Sequence, residues 1–253
     1  MKRALIVGAN YKGDLKLEGC VNDAMSMKEF LEGRGWNQIL VLTDSKDSVA
    51  KPTLSNLKKG IDWLYSESKV SDFGKGAYKK VDKAHQYFFS YSGHGSQRKD
   101  KNGDEEDGQD ELLLLCDDKE FVDDDLNTLL TQRLTPDDSL FVLIDACQSQ
   151  SSMDLKYQTD EDGNIKVVNK KAKQTECDTV LLAGSKDSES SFDVSIDNKP
   201  CGALTYCFKE VMSVNSRIDS SNLLKEVRKM IKKYSNQTPY VTLGRKKDVS
   251  LSF

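Results

Sequence analysis

The sequence predicts an α/β fold, a mostly parallel sheet of about six strands with helices on both faces. Three observations carry that expectation. Short, continuously apolar runs recur along the chain, as in "RALIVG" (3–8), "QILVLT" (38–43) and "SLFVLIDA" (139–146). Strands of this kind are buried on both faces rather than on one. Segments with helical apolar spacing separate the runs, and 253 residues give ample length for a large core.

The elements follow in order. "MKRALIVGAN" sets Lys2 and Arg3 before an apolar run, as a signal peptide would. The run is short, however, and "YKGDLK" follows where small residues would mark a cleavage site, so 3–8 reads as the first core strand. "VNDAMSMKEFLEGRG" (21–35) has apolar spacing for a helix closed by glycine. Strand 38–43 follows, then the helix "LSNLKKGIDWLYSES" (54–68), with Thr53 placed to cap it. A polar stretch, 69–84, leads to the strand "QYFFSYS" (86–92). After an acidic loop come the strand "ELLLLC" (111–116), a helix near 124–134 and the strand 139–146. The polar segment 148–178 separates these from "TVLLAG" (179–184), helices at 202–213 and 221–234, and a last strand near "YVTL" (240–243). A single domain is expected over residues 1–253, divided into a larger half (residues 1–147), a linker (148–178) and a smaller half (179–253).

Lys and Arg number 37 against 41 Asp and Glu, a formal net charge of −4, which argues against a nucleic-acid partner. No apolar run approaches the length of a bilayer span, so no membrane partner is expected. Six cysteines (Cys20, Cys116, Cys147, Cys177, Cys201, Cys207) are scattered without a CxxC pair, and the chain has only two histidines. Neither a zinc site nor a disulfide framework is therefore expected, and the expected location is cytoplasmic.

In open sheets of this type, chemistry collects at the carboxyl ends of the strands. "VGANYKG" after the first strand has Gly8 and Gly13 at P-loop spacing, but Asp14 and Leu15 stand where Lys and Ser/Thr are required. GxGxxG is absent as well, so a nucleotide site is not expected. After "QYFFSYS" come Gly93, His94 and Gly95, and after "SLFVLIDA" comes Cys147. Two parallel strands ending on one edge would present an imidazole and a thiol to each other. Cysteine protease chemistry needs that pair, a thiolate nucleophile and a histidine that moves its proton. Glycines beside the histidine let a substrate approach, and the Gly95 N–H is placed to stabilise an oxyanion. Taken singly, His94 reads as a turn residue and Cys147 as an inert core thiol. Asp145 precedes Cys147 by two residues and Ser92 precedes His94 by two, so each shares a side of its strand with the residue it precedes. Asp23 opens the helix after the first strand at the same edge. Two carboxylates there would suit an Arg or Lys side chain; the plainer role of Asp23 is a first-turn helix charge.

The segments "LEGCVNDA" (17–24), "FFSYSGHGSQ" (88–97), "DGQDELLL" (107–114), "FVDDDL" (121–126), "LIDACQS" (143–149) and "LLAGSKDSESSFD" (181–193) carry a resemblance. In that order, across nearly the whole chain, they resemble the metacaspases, within the caspase-like cysteine proteases. The resemblance implies a caspase-like three-layer sandwich, with His94 as general base and acid and Cys147 as nucleophile. It implies a pocket lined by Cys20, Asp23, Ser92 and Asp145, and protein or peptide substrates cut after Arg or Lys. It also suggests a monomer. The family usually continues after the cysteine with His-Ser-Gly, whereas this chain has Gln148, Ser149 and Gln150, a departure that bears on the nucleophile's loop.

The run "DKNGDEEDGQDE" (100–111) fails the EF-hand pattern, because the sixth position from Asp100 is Glu105 where Gly is needed. By composition it is a solvated loop. In metacaspases that bind calcium, the matching positions are Asp110, Asp123, Asp124 and Asp154, all aspartates here, so Ca2+ is the expected activator. Segment 148–178 holds Lys156, Lys166, Lys170, Lys171 and Lys173. It reads as a long surface loop, and in a protease selective for basic residues it is also a candidate self-cleavage linker. Three readings stand: a calcium-stimulated Arg/Lys-specific endopeptidase, a catalytically impaired caspase-like scaffold, and a calcium-dependent interaction module.

Overall fold

The computed structural model describes residues 1–78, 85–99, 109–147, 149, 152–184, 193–196 and 198–253. The acidic run 100–108 and the residues Gln148 and Gln150 lie outside the described residues. In chain order the elements are β1 (Lys2–Gly8), α1 (Cys20–Glu32), β2 (Gln38–Thr43), α2 (Leu54–Leu64), β3 (Gln86–Ser92), β4 (Gly95–Lys99), β5 (Gln109–Leu114), β6 (Glu120–Val122), α3 (Asp123–Thr131) and β7 (Ser139–Asp145). There follow β8 (Tyr157–Thr159), β9 (Ile165–Val167), β10 (Asp178–Ala183), β11 (Asp193–Ile196), β12 (Lys199–Gly202), α4 (Ala203–Val214), β13 (Ile218–Asp219), α5 (Ser220–Ile231), β14 (Tyr240–Leu243) and β15 (Ser250–Leu251).

The central sheet runs β2-β1-β3-β7-β10-β14-β8-β9. Strands β2, β1, β3, β7 and β10 are parallel, and β14 joins antiparallel to β10. The period of two along each strand divides the apolar residues between two cores. Ala4, Ile6, Phe88, Phe141, Leu143, Val180 and Leu182 face α1, α4 and α5, where Met27, Leu204, Phe208, Leu224 and Val227 meet them. Leu5, Val7, Phe89, Tyr91, Val142, Ile144 and Leu181 face α2 and α3, against Leu57, Ile61, Leu126 and Leu130. The result is three layers. Burying a side chain of this size contributes about 1.5–3 kcal/mol, so these two cores hold the strand ends rigidly in place.

Thr53 caps α2 as the sequence predicts, its hydroxyl accepting from the Asn56 N–H at 3.3 Å. Two differences from expectation matter for the site. The run around "ELLLLC" leaves the central sheet: β5 pairs with β4 and β6 in a separate antiparallel sheet, just beyond the His94 turn. Segment 148–178 is only partly a loop. Its β8 and β9 form a hairpin that adds to β14, giving the sheet eight strands among the described residues where about six are expected.

Candidate active site

Strands β3 and β7 are neighbours in parallel register, with Ser92 opposite Asp145. His94 and Cys147 each stand two residues beyond that pair, so the chain leaves both strands side by side. The approach is tight: a Cβ on Gly95 would come 2.0 Å from the Cys147 carbonyl oxygen, so only glycine fits there. The imidazole is oriented from the β1–α1 loop. His94 Nε2 lies 2.7 Å from the Leu15 carbonyl oxygen. A carbonyl only accepts, so Nε2 carries the proton and Nδ1 keeps the lone pair in the neutral ring. The nucleophile's loop is pinned by Ser149, which is buried; its Oγ donates to the Ala146 carbonyl at 2.9 Å and accepts from the Gly184 N–H at 3.3 Å.

Beneath this edge lie Asp23 and Asp145, 2% and 4% exposed. Ser92 Oγ donates to Asp23 Oδ2 at 2.6 Å, and the Gly202 N–H meets both Asp23 oxygens at 2.9 Å. The Thr205 N–H donates to Asp145 Oδ2 at 2.8 Å. Gly202 is the N-cap of α4 and brings no side chain to the cap, so Asp145 serves that helix start from another strand. A Cβ on Gly202 would sit 2.2 Å from Asp145 Oδ2 and 2.8 Å from Asp23 Oδ2, so both carboxylates converge on one backbone position. Asp23 lies in the first turn of α1 and accepts from Ser92 and Gly202 across the edge as well. Cys20, buried one turn earlier on α1, shares its face. Burial, then the charges of Asp23 and Asp145, push the Cys201 thiol up to about 11.

The acidic residues divide differently from the expectation. The carboxylates of Glu111, Asp123 and Asp154 lie within 4.8 Å of one another. Calcium takes oxygens at about 2.3–2.6 Å, so ligands across one ion stand up to about 5 Å apart, and this trio fits that spacing. Asp110 is buried beside the trio, and its charge acts on the Asp123 carboxyl, but its own partner is a cation. Directly opposite Arg98 across β4–β5, it accepts from Arg98 Nε at 3.0 Å. Adjacent residues of a strand face opposite ways, so Glu111, opposite Gln97 on β4, stands on the other face of β5 from the Asp110–Arg98 pair. Asp124 lines, with Asp154, a groove of about 410 Å³ between α3 and residues 169–176. Asp123 Oδ2 accepts the Glu111 N–H at 2.7 Å and Oδ1 the Asp124 N–H at 2.8 Å, while burial raises its carboxyl above the usual range.

Of the linker lysines, Lys156 Nζ reaches the Ala172 carbonyl at 2.8 Å beside β8, and Lys166 lies on β9. Lys170, Lys171 and Lys173 are exposed on the stretch that follows the hairpin. Sequence reasoning alone misses Glu111, the Leu15 carbonyl, the Ser149 anchor and the Gly202 and Thr205 N–H groups. The "GA" at 202–203, a bare N-cap before a helix, is the one available signal for the last two.

The three-layer sandwich, with a histidine and a cysteine at adjacent ends of its parallel strands, defines a caspase-like α/β protein. The family model described as "Metacaspase, peptidase C14 domain" matches residues 2–156, a span that holds both His94 and Cys147, and the chain belongs to that family. Membership implies a cysteine peptidase. The chain is 29% identical to Metacaspase-1 of Eremothecium gossypii, with 100% of this chain and 66% of that protein covered. It is 28% identical to Metacaspase-1 of Meyerozyma guilliermondii, over 100% of this chain and 72% of that one. For Metacaspase-1 of Schizosaccharomyces pombe the figures are 27%, 99% and 69%. The chain thus spans about two thirds of the length of these relatives. A crystal structure of a Geobacter sulfurreducens protein superposes with a TM-score of 0.62 at 22% identity, covering 96% of this chain and 92% of that one, which shows the shared fold.

Proposed function

We propose that the protein is a calcium-stimulated cysteine endopeptidase that cuts after Arg or Lys through a His94–Cys147 dyad and processes itself in the 148–178 segment. The observation that carries this reading is the β3–β7 register, which sets His94 and Cys147 on one edge directly above Asp23 and Asp145.

The steps follow from the groups present. With Nε2–H held by Leu15, Nδ1 takes the Cys147 proton, and the thiolate adds to the scissile carbonyl carbon. The Gly95 N–H stabilises the oxyanion that forms. The imidazolium gives its proton to the leaving amine as the C–N bond breaks, and a water deprotonated by His94 then hydrolyses the thioester. A substrate guanidinium or ammonium finds two carboxylates whose own backbone and hydroxyl partners hold them in place. Calcium, held by Glu111, Asp123 and Asp154, would supply positive charge that joins three segments, one of them the loop after Cys147. The β8–β9 hairpin occupies the β14 side of the sheet, which supports a monomer.

The test is hydrolysis of a fluorogenic Arg peptide, with and without calcium, by the parent, Cys147→Ala and His94→Ala. Calcium-dependent turnover that vanishes in Cys147→Ala and nearly vanishes in His94→Ala supports the endopeptidase. Folded but inactive parent protein supports the scaffold, and calcium binding without any turnover supports the interaction module.

A further inference from the structure

Tyr11 sits in the β1–α1 loop ahead of Leu15, and its backbone is unusual. Its φ of 56° lies in the left-handed region, uncommon for a residue with a side chain. The Asp44 carboxylate at the end of β2 holds it in that conformation, Oδ1 accepting the Asn10 N–H at 3.0 Å and Oδ2 the Tyr11 N–H at 2.7 Å. So clamped, the loop turns the Tyr11 phenol under the His94 turn. Its oxygen accepts the His94 N–H at 3.0 Å, meets the Tyr91 hydroxyl at 2.8 Å and lies 2.8 Å from the Leu114 carbonyl. Tyr91 Oη in turn lies 2.8 Å from the His94 carbonyl oxygen and 2.6 Å from that of Leu114, its one proton shared between these acceptors. A phenol therefore stands at each backbone group of the histidine, the Leu114 N–H also donating to its carbonyl at 3.0 Å. The Tyr11 ring also lies against the imidazole, centroids 4.8 Å apart and tilted by 38°. Gly93 records how closely this is built, since a Cβ there would come 2.6 Å from each phenol oxygen.

We propose that Tyr11 is a positioning residue for catalysis, which sets the backbone and ring of His94 so that Nδ1 faces the Cys147 thiol. The proposal rests on the dyad reading. One loop then fixes the imidazole at three points: the Leu15 carbonyl on Nε2, the Tyr11 oxygen on the main-chain N–H, and the Tyr11 ring on the imidazole face. Burial raises the phenol well above its ordinary range, so Tyr11 keeps its proton across the working pH. The left-handed Tyr11 backbone is strain held at a site where orientation matters.

The experiment is Tyr11→Phe, which removes the oxygen and keeps the ring, assayed on an Arg peptide beside Asp44→Asn, which loosens the clamp and touches neither phenol. Misplacing a catalytic group by a fraction of an ångström to one ångström costs about 10- to 100-fold in turnover. Tyr11→Phe is expected to lose about that much kcat with KM within about twofold, and Asp44→Asn to shift kcat in the same direction. The pH dependence of Cys147 alkylation by iodoacetamide should also change in Tyr11→Phe, a readout that a purely structural tyrosine would leave alone. Parent-like kcat and an unchanged alkylation profile in a folded Tyr11→Phe overturn the proposal, provided Cys147→Ala is inactive in the same assay. If Tyr11→Phe does not fold, parent-like kcat in Asp44→Asn overturns it. Turnover remaining in Cys147→Ala overturns the dyad reading instead.

Discussion

Two carboxylates taken out of water at one backbone position repel each other, and fixed donors offset that repulsion at Asp23 and Asp145. In the proposed reading, a cationic substrate side chain would complete the compensation. Asp145→Asn keeps an oxygen for the Thr205 N–H but removes the charge. It should lower kcat/KM for an Arg peptide by about 10- to 150-fold, the equivalent of losing one charge-assisted partner at about 1.5–3 kcal/mol, with thermal stability held or raised. A loss of stability without a change in Arg-peptide turnover would reduce Asp145 to a helix cap. The thiols separate in the same way. Burial pushes Cys177 and Cys201 up to about 11 and Cys207 to about 12, so near neutral pH these stay protonated, and thiolate is the form that alkylates. Iodoacetamide at pH 7 should therefore label Cys147 ahead of them, with Cys201 labelling only as pH nears 11; peptide mapping reads this directly. Equal labelling of Cys201 at pH 7 would contradict it. His94, Cys147, Asp145 and Ser92 are legible in the sequence because they close apolar strands, whose ends it marks plainly. Leu15 and Gly202 act through backbone atoms that any residue type supplies, so no pattern announces them.

At the scale of elements, what the sequence withholds is pairing. The strand "ELLLLC" is visible as a run, but its face is set by its β4 partner, and that register places Asp110 opposite Arg98 and Glu111 opposite Gln97. A shift of one residue exchanges the two, and only the non-local pairing decides. The β8–β9 hairpin has strands of three residues, "YQT" and "IKV", too short and too polar to show a period. Its presence sorts the candidate self-cleavage lysines. A protease needs an extended, accessible segment; Lys166 pairs with Gln158 in the hairpin, and the Lys156 carbonyl at its base accepts the Val168 N–H. Cutting in calcium should therefore fall after Lys170, Lys171 or Lys173. Replacing those three with alanine should leave the chain intact by mass spectrometry while peptide turnover persists. Fragments ending at Lys156 or Lys166 in that variant would mean the hairpin opens before cleavage.

Across the whole molecule, the acidic trio adds a charged junction to regions that the second core already packs together: Glu111 on the side sheet, Asp123 opening α3, and Asp154 in the loop after Cys147. That loop is anchored by Ser149 and by Met153 and Leu155 in the second core, with Asp154 between them at a φ of 45°. Three negative charges within 4.8 Å oppose this closure by about 3–4 kcal/mol per pair at an effective dielectric near 20. A divalent ion reverses the sign of that contribution. At about 100 times its dissociation constant, calcium should add about 2.7 kcal/mol, which for a chain of this size is roughly 5–10 °C in melting temperature. The measurement belongs in Cys147→Ala, where no self-cleavage intervenes. Glu111→Gln and Asp154→Asn should melt higher than their parent in chelator and gain little from calcium, and magnesium should substitute poorly because it demands a tighter octahedral shell. Asp110→Asn, on the Arg98 side, should keep most of the calcium increment. If instead Asp110→Asn abolishes the increment and Glu111→Gln retains it, Asp110 is the ligand and Glu111 is not. Equal melting in chelator and in calcium would leave the trio an acidic surface with no ion to hold.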